Sequence, residues 1–176
     1  TFLEADWQEA KKIVFCEGYR VLQNPWFGNL PFSPAQGEIL LMENALSIAA
    51  SNGTWIIPEK KDRCLAGSTW KHEDLESGPT KDGKSEILEN LPLPNEDSPV
   101  IINHLSGVRP GTRDRSPILG KHGENEKMFL FNGFGSRGAA TIPFYAKHML
   151  DFMIDEVPLP READLNRFEK NASPTR

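Results

Sequence analysis

Met128-Phe129-Leu130-Phe131-Asn132-Gly133-Phe134-Gly135-Ser136-Arg137-Gly138 is a short apolar run that breaks into a turn with three glycines. Four consecutive apolar residues closed by a turn signal predict a compact buried strand. Past Gly138, the apolar positions Ile142, Ala146, Met149, Leu150 and Met153 recur at helical spacing and predict an amphipathic helix with that stripe on the core. The glycines have the spacing of a dinucleotide-binding turn. A full fingerprint of that kind also needs a second parallel strand about 20 residues on, ending in an acid. Here the helix runs instead into Asp155-Glu156-Val157-Pro158-Leu159-Pro160, which cannot be a central strand. What remains is the physics of the turn. Glycines let backbone approach a planar or phosphorylated ligand, and the start of the helix favours negative charge. Taken alone, these residues fit a ligand-free strand-to-helix corner equally well.

Upstream of this stretch the chain reads mostly as strands. Ile13-Val14-Phe15-Cys16 is an apolar run stopped by Glu17-Gly18, as in a buried strand and its turn. Asn24 to Pro34 holds three prolines and a glycine and is loop. Gly37 to Glu43 predicts a strand. Thr54 to Pro58 and Arg63 to Trp70, split by the charged turn Glu59-Lys60-Lys61-Asp62, predict a hairpin. Ser85 to Leu91 predicts a helix ended by Pro92 and Pro94, and Val100 to Arg109 a further strand. The first residues read as a short helix, and the tail from Pro158 to Arg176 as Pro-rich and loose at its end. Several strands, few helices and no regular alternation give an α+β fold with a largely antiparallel or mixed sheet.

A second segment carries chemistry: Gly107-Val108-Arg109-Pro110-Gly111-Thr112-Arg113-Asp114-Arg115-Ser116-Pro117-Ile118-Leu119-Gly120. An arginine at the end of an apolar strand, its turn fixed by proline, presents a planar fork suited to a carboxylate. The competing reading pairs Arg109 with Asp114 or another acid.

Together the Gly-Val-Arg-Pro-Gly-Thr segment, the short strand, Asn-Gly-x-Gly-x-x-Gly and the amphipathic helix resemble the closing portion of the D-amino-acid oxidase and glycine oxidase family of FAD-dependent oxidoreductases. The resemblance extends upstream to Ile13–Gly18, to Leu30-Pro31-x-x-Pro34-x-x-Gly37-Glu38 and to Gly67-Ser68-Thr69-Trp70. The later segments are also similar to the oxidase domain of the bifunctional tRNA wobble-uridine modification enzymes. The resemblance implies a fold with a substrate-binding domain and remnants of an FAD-binding Rossmann-like domain. Residues 1–33 would supply the latter's last strand and a linker, 34–108 the substrate domain, 109–157 the return to the cofactor domain, and 158–176 a tail. It implies FAD as cofactor, with Gly18, Phe134, Gly135, Ser136, Arg137, Gly138, Ala139 and Ala140 against it, and an amine or amino-acid substrate held by Arg109 and Arg137. No protein nucleophile is implied, since orientation and the cofactor carry the chemistry. Glu17 departs from the family pattern, which has a small residue there.

The Gly-x-Gly-x-x-Gly strand and helix that would bind the ADP part of FAD do not occur in these 176 residues. The expectation is therefore a C-terminal half, inactive alone, completed by an N-terminal FAD-binding half. It should expose an apolar face at Ile13-Val14-Phe15 and Met128–Phe131 through which it could also form a homodimer. The alternative is a non-catalytic substrate- or partner-binding module without flavin. Composition excludes other classes. With 38% apolar residues the chain can bury a core, and a net charge of -5 with scattered Lys and Arg argues against a nucleic-acid partner. No apolar stretch is long enough to span a membrane, and Cys16 and Cys64 form neither a metal knuckle nor a disulfide framework, so a cytoplasmic setting is expected. His72, His104, His122 and His148 lack metal spacing. Trp55, Trp70 and Tyr145 read as core before pocket.

Overall fold

The computed structural model describes residues 9–43, 48–60, 62–92 and 99–168, so the expected N-terminal helix lies largely outside the described residues. In chain order the strands are β1 (Ile13–Phe15), β2 (Ala35–Glu43), β3 (Ala50–Ser51), β4 (Trp55–Lys60), β5 (Arg63–Gly67), β6 (Val100–Arg109), β7 (Ile118–Lys121) and β8 (Met128–Asn132). The helices are α1 (Lys81–Glu89) and α2 (Gly138–Asp155). The chain folds as two compact units, Thr1–Pro34 with Arg109–Arg176, and Ala35–Val108.

The first unit is built on a three-stranded sheet in the order β1-β8-β7. β1 runs parallel to β8, with Ile13, Val14 and Phe15 opposite Met128, Phe129 and Leu130. β7 is antiparallel to β8. Strand side chains alternate between faces, and here both faces are covered. Phe15, Met128, Leu130 and Ile118 pack with Val21, Phe27, Phe32 and Leu165 on one side. Leu119 and Phe129 pack with Met149, Leu159 and Ala163 on the other. A strand buried on both faces favours apolar residues wherever a polar side chain would find no partner, which is why Met128–Phe131 reads as an unbroken run.

This corrects the expected exposed face. Phe15, Met128, Phe129 and Leu130 are buried, leaving only Val14 of β1 substantially exposed. In the first unit the most exposed large apolar side chains among the described residues belong to α2, which has Phe144 at 56%, Leu150 at 55% and Ile154 at 65% exposure. The stripe expected on the core is corrected with it. Met149 is buried and Met153 half-buried, but Ile142, Ala146 and Leu150 are exposed, and Tyr145 and Phe152 join Met149 on the sheet side. The helix is apolar over more than half of its circumference, with Lys147, His148 and Asp151 on the remainder, so periodicity identifies a broad stripe without identifying which part of it meets the sheet.

The second unit is a five-stranded sheet in the order β3-β4-β5-β2-β6. β4 and β5 form the expected antiparallel hairpin, with a bulge between Pro58 and Lys60. Leu40, Met42, Ile56, Cys64 and Ala66 of this sheet bury Ile87 of α1. Trp70, read as core, stands 52% exposed beyond the end of β5. α1 begins four residues before the Ser85 expected from sequence, because Thr80 caps it, its hydroxyl accepting from the Gly83 N–H at 3.0 Å.

One buried carboxylate fastens this unit. Glu38 on β2 is 3% exposed and accepts from the Thr80 N–H at 2.9 Å and the Thr80 hydroxyl at 2.8 Å. His104 Nε2 on β6 approaches the same carboxylate to 2.8 Å without hydrogen-bond geometry. Any Cβ at Gly83 would run into this carboxylate, so the glycine in the first turn of α1 is what admits it. Glu38→Ala would strand the Thr80 donors, and an expected loss of about 3 kcal/mol in urea-unfolding stability follows. Glu38→Gln, whose single oxygen can still accept from the Thr80 N–H while its amide nitrogen faces the Thr80 hydroxyl, should lose clearly less. Equal losses would show that the site needs the full carboxylate, with its charge and its second acceptor oxygen.

Candidate functional site

Because β1 and β8 are parallel, their C-terminal ends open on one edge, the edge at which open α/β sheets bind ligands. β1 leaves through Cys16-Glu17-Gly18. Gly18 has φ +61°, and nothing lies within 4 Å of where its Cβ would stand. β8 leaves through Asn132-Gly133, and this glycine has the opposite surroundings. Its φ is +83°, and a Cβ would come within 2.7 Å of Thr112 Cγ2 and 3.2 Å of the Ile118 nitrogen. Asn132, 3% exposed, joins the two exits, its Nδ2 donating to the Gly18 carbonyl at 2.8 Å and its Oδ1 accepting from the Gly133 N–H at 2.8 Å.

The Arg-Pro segment meets the same turn. The Gly135 N–H, at φ +55°, donates to the Pro110 carbonyl at 3.1 Å. The Ser33 N–H donates to the Gly111 carbonyl at 2.8 Å. Arg109 is half-buried, and burial pushes its guanidinium below its ordinary value, though an arginine remains a cation at any working pH. Asp114, one of the acids considered as a partner for Arg109, is engaged by another arginine. Asp114 holds Arg167, with Nε at 2.9 Å and Nη2 at 3.3 Å, and Arg167 also donates to the Ser116 carbonyl. Burial alone would raise the Asp114 carboxyl. Hydrogen bonds from Arg167, Ser116 and Thr112, with the guanidinium charge, outweigh it and hold the carboxyl below the usual range.

Arg167 is the residue that sequence reasoning missed, since it falls in the Pro-rich, charged tail from Pro158, to which no role was given. Leu159, Ala163 and Leu165 there are buried, and the Ala163 carbonyl accepts from the Leu119 N–H at 2.8 Å. The available signal was Asp164, two residues before Asn166, whose side chain accepts from the Asn166 N–H at 2.9 Å and starts a short turn.

The remaining candidates cluster on the Gly-rich turn in different postures. Ser136, Ala139 and Ala140 are exposed. Gly138 opens α2, whose first turn holds no acid and whose start has no side-chain cap. Arg137 is exposed, and its guanidinium donates to the Arg115 carbonyl. The Phe134 ring packs between Phe131 and Tyr145, with centroids 4.7 and 6.1 Å away, so it is engaged with the core. Glu17, the departure from the family pattern, is drawn aside by Asn24 Nδ2 at 2.7 Å. Burial and then the adjacent Glu17 charge push the Cys16 thiol up, which makes it a poor nucleophile. Among the described residues, no helix is long and apolar enough to cross a membrane, and no group of three His, Cys, Asp or Glu side chains could hold a metal.

The backbone matches that of glycine oxidase from Bacillus cereus with a TM-score of 0.72, at 20% identity over 84% of this chain and 43% of that one. L-proline dehydrogenase from P. horikoshii gives 0.74 at 15% identity, over 90% of this chain and 47% of that one. The chain belongs to the FAD dependent oxidoreductase family, whose model matches residues 3–152. The glycine oxidase of Pseudomonas putida is 25% identical over 136 residues, 74% of this chain and 37% of that protein. A tRNA 5-methylaminomethyl-2-thiouridine biosynthesis bifunctional protein from Nitrosospira multiformis is 31% identical over 99 residues, 53% of this chain and 15% of its own length. The chain thus spans little more than a third of the glycine oxidase it matches.

The lowered carboxyl of Asp114 sets a pH dependence. A carboxyl whose folded value lies below its unfolded one adds stability that is fully present above about pH 4 and fades as pH falls through the folded value. With the Asp114 side chain 40% exposed, solvent screens the pair, and the contribution stays under about 1 kcal/mol. Urea unfolding of wild type and Asp114→Asn should therefore differ at neutral pH and converge in strong acid. A difference that persists there would assign the effect to packing instead of charge.

Proposed function

We propose that this chain is the C-terminal part of an FAD-dependent oxidoreductase that oxidises an amine or amino acid carrying a carboxylate, with hydride passing to the flavin. The observation that carries the reading is the fastening of three turns in one unit. Asn132 ties the Gly18 turn to Gly133, and the bond from Gly135 to Pro110 lays the Arg109 loop against the same turn.

The residues present fit a flavin. Gly18 offers bare backbone with open space beside it, and α2 begins with Gly138, Ala139 and Ala140, small residues with no acid among them. A planar ring whose edge gains negative charge can approach such backbone closely and is favoured by the helix start. In this reading Gly18, Phe134, Gly135, Ser136, Arg137, Gly138, Ala139 and Ala140 hold the ring. The Gly135 N–H is already committed to Pro110, so that residue contributes close approach and not a donor. Arg109 takes the substrate carboxylate as a bidentate partner, and Arg137 adds a second cation beside it. Uptake of hydride from the carbon next to the amine nitrogen is the chemistry the flavin supplies. Related proteins are named for glycine, iminodiacetate and L-proline, all of which place an amine one carbon from a carboxylate.

The adenosine part of FAD is assigned to a segment beyond these residues, for which the exposed apolar side of α2 is a suitable seat. Phe144, Leu150 and Ile154 form apolar surface of the kind that is normally covered. The isolated chain should accordingly bind FAD weakly, and self-association through α2 would mark the same surface as sticky.

Protein made from the complete gene should be yellow, and its flavin bands should bleach when glycine, iminodiacetate or proline is added without oxygen. Colourless, well-folded protein would instead support a binding module. In the active protein, Arg109→Ala should lower kcat/KM more than a hundredfold, about 3 kcal/mol, with flavin content unchanged. Arg109→Lys should restore only part, because a point charge cannot make two parallel hydrogen bonds. Near-normal efficiency in Arg109→Ala would remove the carboxylate from the proposed substrate.

A further inference from the structure

We propose that Asn132 is the positioning residue of the flavin site, setting the spacing between the Gly18 turn and the Gly133 turn through its carboxamide. The inference rests on the flavin reading above. Asn132 ends β8 opposite Ile118, on the same side of the strand as Met128 and Leu130. Alternation therefore assigns this position to the apolar face, and a 3% exposed amide there is costly unless both of its ends are satisfied.

Both ends are satisfied, and by the two turns in question. The backbone pairing of β1 with β8 stops at Phe15 opposite Leu130, after which the chains separate. Two residues further on β8 and three further on β1, the Asn132 side chain renews the connection, donating to Gly18 and accepting from Gly133 at 2.8 Å each. The link thus continues the parallel pair beyond the reach of its backbone ladder and up to the glycines assigned to the ring. A carboxamide suits this because it is a donor and an acceptor held in one plane. Aspartate has the same shape but two acceptors, one of which would face the Gly18 carbonyl. A threonine hydroxyl can serve one partner well, and alanine serves neither. Gly133 is in no position to compensate, since Thr112 and Ile118 hem it in, whereas the open surroundings of Gly18 leave its turn free to move once released.

The test uses the FAD-loaded protein from the complete gene, with Asn132→Thr, Asn132→Ala and Asn132→Asp. FAD dissociation constants should rise in that order, by tenfold or more for aspartate. The resolved shoulders of the flavin absorption band should blur in parallel, because a displaced turn lets solvent reach the ring. Urea midpoints of the apoproteins, measured alongside, separate this from a loss of stability, which would lower the midpoint without ordering affinity and spectrum by hydrogen-bonding capacity. Threonine is the variant most certain to fold, and its intermediate place in the series tests the proposal even if aspartate does not fold. Variants with wild-type affinity and spectrum overturn the role of Asn132 while leaving the flavin reading intact. Wild-type protein that takes up no FAD overturns both.

Discussion

Everything in the first unit depends on a parallel pairing between strands far apart in the chain. β1 ends at Phe15 and β8 begins at Met128, and parallel neighbours can be joined only by a crossover, so residues 16–127 are the connection between them. The closure entropy of so long a loop grows only slowly with its length, and the apolar contacts on both faces of β8 offset it. The functional consequence is directional. Parallel strands point their C-terminal ends the same way, so Gly18 and Gly133, 115 positions apart in the numbering, become neighbours.

The glycines at this edge serve separate ends. At Gly133 the constraint is steric as well as conformational, because Thr112 and Ile118 occupy the space a side chain would need. At Gly18 and Gly135 the backbone is left-handed but the space is open or nearly so, and the absent side chain leaves room beside the turn. One glycine is therefore spent on packing the turn against the Arg-Pro loop, and the other two keep its outer surface bare. The glycine spacing alone does not reveal this division.

Much of the fold was legible, for identifiable reasons. Met128–Phe131 announced a buried strand because four apolar residues run together there, and β4 and β5 announced a hairpin because a charged turn separates two apolar runs. β7 went unread because Gly120 and Lys121 dilute its two apolar residues, and Gly120 is there because a Cβ would collide with Leu165. α1 was placed late because Lys81-Asp82-Gly83-Lys84 looks like loop until Glu38, distant in sequence, is seen to require Gly83. In the site, the glycine turn and the Arg-Pro loop could be recognised from local spacing. Asn132 and Arg167 could not, because what makes each of them matter is a partner more than fifty residues away.

The C-terminal segment shows how the loop that follows Arg109 is held from outside. Arg-Asp-Arg at 113–115 could neutralise itself locally, but Arg167 reaches Asp114 with a two-pronged contact that neither neighbour makes. The carboxylate is turned toward the segment that also forms a bridge from Asp164 to Leu119 of β7. The loop is then pinned at one end by this pair, at Gly111 by Ser33, and at Pro110 by Gly135. Arg167 therefore ties residues up to Phe168 into the framework that carries the Arg-Pro loop.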